Sequence, residues 1–261
     1  MQQRIRYLLE SLQQAGISAT LAWSVDRLRS KAGRSGQQLI RFRPKGVPHP
    51  LVARPSPSSD PDVFRQVFLD RQYAPFDELA GVKSILDLGA NVGYSSAYFL
   101  AHFPDAQVLA VEPDAENYEM CVRNLSPYGA RARVKNGAVW CKTATLYTVG
   151  DYGDNRNWAV AVSESPSPGS TPVQAWDIDS LLDEIAGEHP VDILKIDIEG
   201  SELALFAEHP KWLQRVRNLC IELHGEECRI SFDRAMMAYE YKRENWGELV
   251  MCHDIRRMRA G

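Results

Sequence analysis

The sequence predicts an α/β fold in which a mostly parallel sheet carries helices on both faces. Three observations predict it. From about residue 83 onward, short apolar runs of strand length alternate with stretches of helical length. Such repeated βαβ units imply parallel strands joined by right-handed crossovers. A glycine-containing turn also follows the first run, where a doubly wound sheet places a ligand. Finally, the chain has 261 residues and is 44% hydrophobic, too apolar for disorder. A fold of that length removes roughly 70–75% of its unfolded surface from water.

Ile5, Leu8, Leu9 and Leu12 fall at i, i+3, i+4 and i+7, so the chain opens with an amphipathic helix ending near Gly16. Residues 30–62, rich in Gly, Pro, Ser and Arg, predict a loop or hairpin, with a turn region over Pro55–Pro61. Val63, Phe64, Val67 and Phe68 suggest a short helix. Ser84–Leu88 is an apolar strand, followed by a glycine loop and a helix over about 93–102. Gln107–Val111 is the second strand, and a helix runs over about 114–125. Ala132–Lys135 and Ala138–Trp140 are strand pieces, and Ala144–Val149 with Trp158–Ser163 forms a hairpin. Pro166–Pro172 is a loop. Ile178–Ala186 is a helix, Val191–Ile196 a buried strand, Glu199–Ala207 a helix and Asn218–Leu223 a strand. A helix around 232–241 and a strand around 247–252 close the chain. Residues 1–80 therefore form an N-terminal helical and loop extension, a substrate-side cap or docking element. Residues 81–261 form the ligand-binding domain.

No apolar run approaches the 18–20 residues of a membrane span, and no apolar stretch of secretory type follows Met1. Five cysteines (121, 141, 220, 228 and 252) contain no CxxC pair, which argues against a disulfide framework or structural zinc and fits a cytoplasmic location. Residues 1–54 carry ten Lys/Arg against two Asp/Glu, whereas the remainder is acidic. Such a basic arm suits an acidic partner or surface, or is simply a solvated face. No aromatic interleaving suggests nucleic acid.

The first strand runs into Asp87-Leu-Gly-Ala-Asn-Val-Gly-Tyr94. Gly89 and Gly93 let backbone approach a ligand closely. Their spacing is GxxxG rather than GxGxxG, and an acid at the strand end suits a cationic amine better than a pyrophosphate. Glu112 ends the second strand in Ala110-Val-Glu-Pro113, where a carboxylate binds both hydroxyls of a ribose. Together the two acids describe an amino-acid–nucleoside ligand. The plainer alternatives are a tight turn and a helix-start acid.

These residues resemble class I S-adenosylmethionine-dependent methyltransferases, and more closely the FkbM-type branch. Asp87–Tyr94, Val111-Glu-Pro-Asp114, Leu194-Lys-Ile-Asp-Ile-Glu-Gly-Ser-Glu202 and Ile221-Glu-Leu-His224 carry the likeness, with Asp62-Val-Phe-Arg-Gln-Val-Phe68 as a lead-in. The resemblance implies a Rossmann-like seven-stranded sheet with one antiparallel strand, S-adenosylmethionine as methyl donor, and a hydroxyl acceptor on a sugar or natural product. By position, Asp87, Gly89, Asn91 and Gly93 would hold the methionine moiety, with Ala90 and Tyr94 beside them. Glu112 and Pro113 would meet the ribose, and Asn136, Gly137 and Ala138 would line the adenine. The stretch 141–175 matches least and is expected to shape the acceptor pocket.

Asp197 follows an apolar strand at the carboxyl edge of the sheet. Glu199 and Glu202 open the next helix, where the helix dipole favours acids. Glu222 and His224 lie two apart on a strand and share a face. If that face borders the cleft, His224 is a candidate general base for a hydroxyl; otherwise it is a structural histidine. Asp197, Glu199 and Glu222 are alternatively oxygen ligands for magnesium. Asp151–Trp158 is polar and aromatic and suits a polyhydroxylated acceptor, or is an ordinary turn.

The leading expectation is an O-methyltransferase of a small-molecule or glycan acceptor, with homodimerisation left open. The alternatives are a peptide or protein methyltransferase docked by the basic arm, a cofactor-binding scaffold without catalysis, and an NAD-dependent nucleotide-sugar oxidoreductase. The GxxxG spacing argues against the last. No Asn-Pro-Pro-Tyr or Asp-Pro-Pro-Tyr string of the amino-methylating nucleic-acid enzymes occurs.

Overall fold

The computed structural model describes residues 12–31, 38–149, 161–207 and 210–258. The opening helix expected over 5–16 lies largely outside them, as does Asp151–Trp158. Three strands form the middle of the main sheet: β3 (Ser84–Leu88), β4 (Gln107–Glu112) and β10 (Val191–Ile196). With β5 (Ala132–Asn136), β11 (Val216–Glu222), β12 (Tyr239–Trp246) and β13 (Leu249–Arg257) they build a seven-stranded sheet of order β12-β13-β11-β10-β3-β4-β5. Only β13 runs against the rest, antiparallel to both β11 and β12.

Strand alternation splits the side chains between two cores. Ile85, Val108, Ile193, Cys220 and Met251 point to one face. There they meet α3 (Tyr94–His102) and α4 (Ala115–Leu125). Leu86, Leu88, Leu109, Leu194 and Leu219 point to the other. That face is covered by α5 (Ile178–Ala186), α6 (Glu202–Phe206) and α7 (Glu226–Met236). Burial on both sides is why the central strands read as continuous apolar runs.

The N-terminal part is built into the first core. A helix, α1 (Gly16–Lys31), which the sequence reading did not anticipate, places the Trp23 ring 5.2 Å from Phe42 and 5.1 Å from Phe64. Phe42 belongs to the expected hairpin, β1 (Ile40–Phe42) with β2 (Leu51–Ala53). The buried Asn124 fastens this hairpin to the glycine loop. It accepts from the Val52 amide (2.7 Å) and donates to the carbonyls of Val52 and Val92. Arg54 of the basic arm is committed to Asp60 at 2.7 Å, at the start of α2 (Asp60–Phe64).

Four short strands form a second sheet inserted after β5. These are β6 (Ala138–Trp140), β7 (Ala144–Thr148), β8 (Val162–Ser163) and β9 (Pro172–Asp177), in the order β6-β9-β7-β8. The β7–β8 pairing matches the expected hairpin where it is described, but β9 was not foreseen. Two helix boundaries also differ. The helix expected at 199 begins at Glu202, because Glu199 and Gly200 adopt positive φ and make a turn. The helix expected over 232–241 runs over Glu226–Met236, and Tyr239–Trp246 is a polar edge strand.

Candidate active site

A cleft of about 500 Å³, counting its open mouth, lies at the carboxyl edge of the parallel strands. Gly89, Asn91, Glu112, Pro113, Gly137, Ala138, Asp197 and Glu199 line it, all of them singled out from sequence. Val111, Val139, Val162, Ile198 and Ser201 complete the wall. The insert sheet thus supplies one side of the cleft.

The glycine loop is held by its neighbours. The Gly89 and Ala90 amides both donate to the Val111 carbonyl at 3.0 Å. Gly89 has φ +74°, and a Cβ there would lie 1.7 Å from the Asp197 carbonyl oxygen. Only glycine lets β3 and β10 close this tightly. Gly137 plays the same part across the cleft, where a Cβ would lie 2.6 Å from both the Gln174 carbonyl oxygen and Trp176 Nε1.

Glu112 accepts from the Asn91 amide (2.7 Å) and the Asp114 amide (3.0 Å). Burial pushes its carboxyl up to about 7, against the pull of those two hydrogen bonds. It therefore stands at the tip of β4, buried yet bordering the cleft, and half-ionised near neutral pH.

Asp87 is elsewhere. Alternation puts it on the same face as Ile85, under the loop rather than in the cleft. It is fully buried and accepts from the hydroxyls of Ser95 and Ser96 at 2.6 Å each. Asp87, expected to hold the amino-acid end of the ligand, is thus absent from the cleft lining. Ala90, Gly93, Tyr94 and Asn136 also lie outside the cleft lining. Tyr94 donates to the Val52 carbonyl, and Asn136 donates to the Glu112 carbonyl. These residues shape the loop and strand ends from behind.

Lys195, unassigned in the sequence reading, is the buried cation of the site. Its Nζ lies 3.3 Å from Asp87 and 3.5 Å from Asp197, and donates to the carbonyls of Leu88 and Gly89. Burial alone would lower its pKa, but the two carboxylates hold it well above the ordinary value. It lies in register opposite Asp87 on the neighbouring strand, a pairing that the sequence signals only as a lone lysine inside an apolar strand.

His224 sits among four acids. Its Nδ1 is 3.0 Å from Glu202, and its Nε2 is 3.4 Å from Glu199, 3.6 Å from Glu222 and 3.9 Å from Asp197. Burial opposes its charge, yet the hydrogen bond to Glu202 and the neighbouring carboxylates push it up to about 9. The surrounding carboxylates thus favour the protonated form of His224, the candidate general base. Burial and the Asp197 charge push Glu222 up to about 7. One donor atom each from Asp197, Glu199 and His224 lie within 4.8 Å of one another. This group shares Asp197 and Glu199 with the magnesium set expected from sequence and has His224 in place of Glu222.

Next to Glu222 a second, open groove begins. Asp62, Arg65, Gln66, Asp70 and Gln72 from the N-terminal part face Trp246 and Glu248 from the β12–β13 turn across it. Leu249 pairs with Glu222 in register, which brings this turn to the same edge of the sheet as the cleft.

The fold is the Rossmann-like class I methyltransferase fold, and the family match defines the chain as a methyltransferase. The methyltransferase FkbM domain matches residues 87–257, and the chain belongs to that family. It is 26% identical to the methyltransferase sdnD of Sordaria araneosa, over 61% of this chain and 73% of that protein. It is also 26% identical to the 2-O-methyltransferase NoeI of Sinorhizobium fredii, over 55% of this chain and 64% of NoeI. Among solved structures, the Pyrococcus horikoshii protein PH0793 aligns over 90% of this chain and 82% of its own, with 11% identity and a TM-score of 0.50. That likeness concerns the fold alone. Among the described residues no helix is long and apolar enough to cross a membrane.

Proposed function

We propose that the chain is an S-adenosylmethionine-dependent O-methyltransferase acting on a hydroxyl of a sugar-containing or natural-product acceptor. The observation that carries this reading is the convergence of Gly89, Asn91, Glu112, Gly137 and Asp197 on one cleft at the carboxyl edge of the sheet. The donor set fits the cofactor. Glu112 offers a carboxylate to two ribose hydroxyls, Gly89 and Asn91 bring backbone to the amino-acid end, and Gly137, Ala138 and Val139 form the wall that would meet the base. S-adenosylmethionine supplies a methyl group activated by its sulfonium.

The protein's own contribution is alignment and proton handling. Lys195 fixes the carbonyls of Leu88 and Gly89 and so sets the course of the loop. Glu222 takes the hydroxyl proton of the acceptor on its carboxylate as the new bond forms. The acceptor lies in the groove between the N-terminal part and the β12–β13 turn. Its Trp246, Gln66, Gln72 and carboxylates offer a stacking surface and hydrogen bonds of the kind hydroxyl-rich molecules use. NoeI, by its name, methylates a 2-hydroxyl, which agrees with an oxygen acceptor. Within the N-terminal extension, residues 62–72 would then act as the acceptor-side wall. The test is transfer of labelled methyl from S-adenosylmethionine to a panel of glycans, peptides and small hydroxylated molecules. Label on peptide alone would refute the hydroxylated-acceptor reading.

A further inference from the structure

We propose that Asp197, Glu199 and His224 hold one divalent transition cation of the manganese type, in preference to magnesium. The proposal deepens the methyl-transfer reading and rests on it only for what the ion does. Three chain segments supply the ligands: the residue after β10, the 199–200 turn, and the residues after β11. One donor atom from each falls within 4.8 Å of the others. Donors about 2.0–2.2 Å from a shared ion lie no more than about 4.4 Å apart, so only small adjustments close the set.

The imidazole is aimed, not merely near. Glu202 is fully buried and accepts from the amides of Ile198 (3.1 Å) and Gly200 (2.8 Å), which fixes its carboxylate. That carboxylate faces His224 Nδ1 at 3.0 Å and leaves Nε2 directed at Asp197, Glu199 and Glu222. A carboxylate behind a histidine whose other nitrogen faces carboxylate oxygens is the arrangement that orients metal-binding imidazoles. Among the described residues, the ion pairs of these four acids are with His224 and Lys195, and Lys195 is shared with Asp87. Negative charge is therefore in excess around Nε2, where a cation would replace the proton. Magnesium prefers oxygen donors and retains its waters, whereas one imidazole with two carboxylates favours first-row transition ions. Asp197 and Glu199 also line the cleft, so the ion would lie where the acceptor hydroxyl must approach Glu222.

The full chain, stripped with chelator, is titrated with Mn2+ and followed by loss of the free-ion electron paramagnetic resonance signal. Expected are one Mn2+ per chain, displacement by Mg2+ only in large excess, and abolished uptake in Asp197→Asn and His224→Gln. Glu202→Gln, which leaves all three ligands in place, should weaken uptake about 10–100-fold. Far-ultraviolet circular dichroism and a melting curve on each sample report on folding, and S-adenosylhomocysteine binding by the unsubstituted chain reports on the donor-site reading by itself. No Mn2+ uptake, uptake unchanged in a folded His224→Gln, or Mg2+ bound as tightly as Mn2+ would each overturn the proposal.

Discussion

Lys195 Nζ lies 3.3 Å from Asp87 Oδ1 on the adjacent strand, and both side chains are buried. The pair stands directly beneath the glycine loop, because Lys195 also donates to the carbonyls of Leu88 and Gly89. Asp87 is further satisfied by Ser95 and Ser96 at the start of α3. One buried ion pair thus joins β3, β10, α3 and the loop that borders the cleft.

Lys195→Met leaves Asp87 as a buried charge without its cation. Removing one partner of such a pair costs about 3–5 kcal/mol. Urea unfolding should show a loss of that size, and a loss below about 1 kcal/mol would contradict the structural weight given to this pair.

Glu112 gives a pH dependence with a definite sign. Its carboxyl titrates at about 7 in the free protein. Ribose hydroxyls favour the ionised form, so ligand binding lowers that pKa and affinity rises as the group deprotonates. S-adenosylhomocysteine should bind about tenfold more weakly at pH 6 than at pH 8. Glu112→Gln should flatten that profile and lose roughly 1.5–3 kcal/mol of binding through the missing charged hydrogen bonds. Calorimetric titration across pH reads both effects.

Gly89→Ala places a methyl group 1.7 Å from the Asp197 carbonyl oxygen, at φ +74°. The left-handed conformation alone costs about 1–2 kcal/mol for a residue with a Cβ, and the collision adds to it. Loss of S-adenosylhomocysteine binding together with a lowered melting temperature is expected. Unchanged binding would mean that the loop does not carry the cofactor site.

Glu222→Gln removes the proton acceptor while leaving the cleft lining intact. Single-turnover methyl transfer should fall by roughly 10²–10⁴-fold, with S-adenosylhomocysteine affinity retained. Equal losses in both would assign Glu222 to binding instead.

Much of this was readable in the sequence. Ser84–Leu88 and Val191–Ile196 lie where their apolar runs put them, because strands buried between two layers leave little ambiguity, and Ile178–Ala186 does so because its apolar residues recur at helical spacing on one face. Glu112 and Asp197 reached the cleft because both end parallel strands. What stayed hidden has particular causes. Asp87 was read by its position at the strand end, although alternation with Ile85 already turned it away from the cleft. The polar Tyr239–Trp246 lies at a sheet edge and lacks a buried face to announce it. Pro172–Asp177 does alternate, with Val173 and Ala175 buried, but it follows a Pro-rich loop that masked the period. The crowding of four acids around His224 needs β10, the 199–200 turn and β11 brought together, and no local pattern encodes it.

The most direct test of the central claim is calorimetric titration of the purified chain with S-adenosylhomocysteine, run beside NAD⁺. A single site of roughly micromolar affinity for S-adenosylhomocysteine, with no heat from NAD⁺, is the predicted result. Binding of NAD⁺ alone, or of neither ligand, would contradict the assignment of this cleft to a methyl donor.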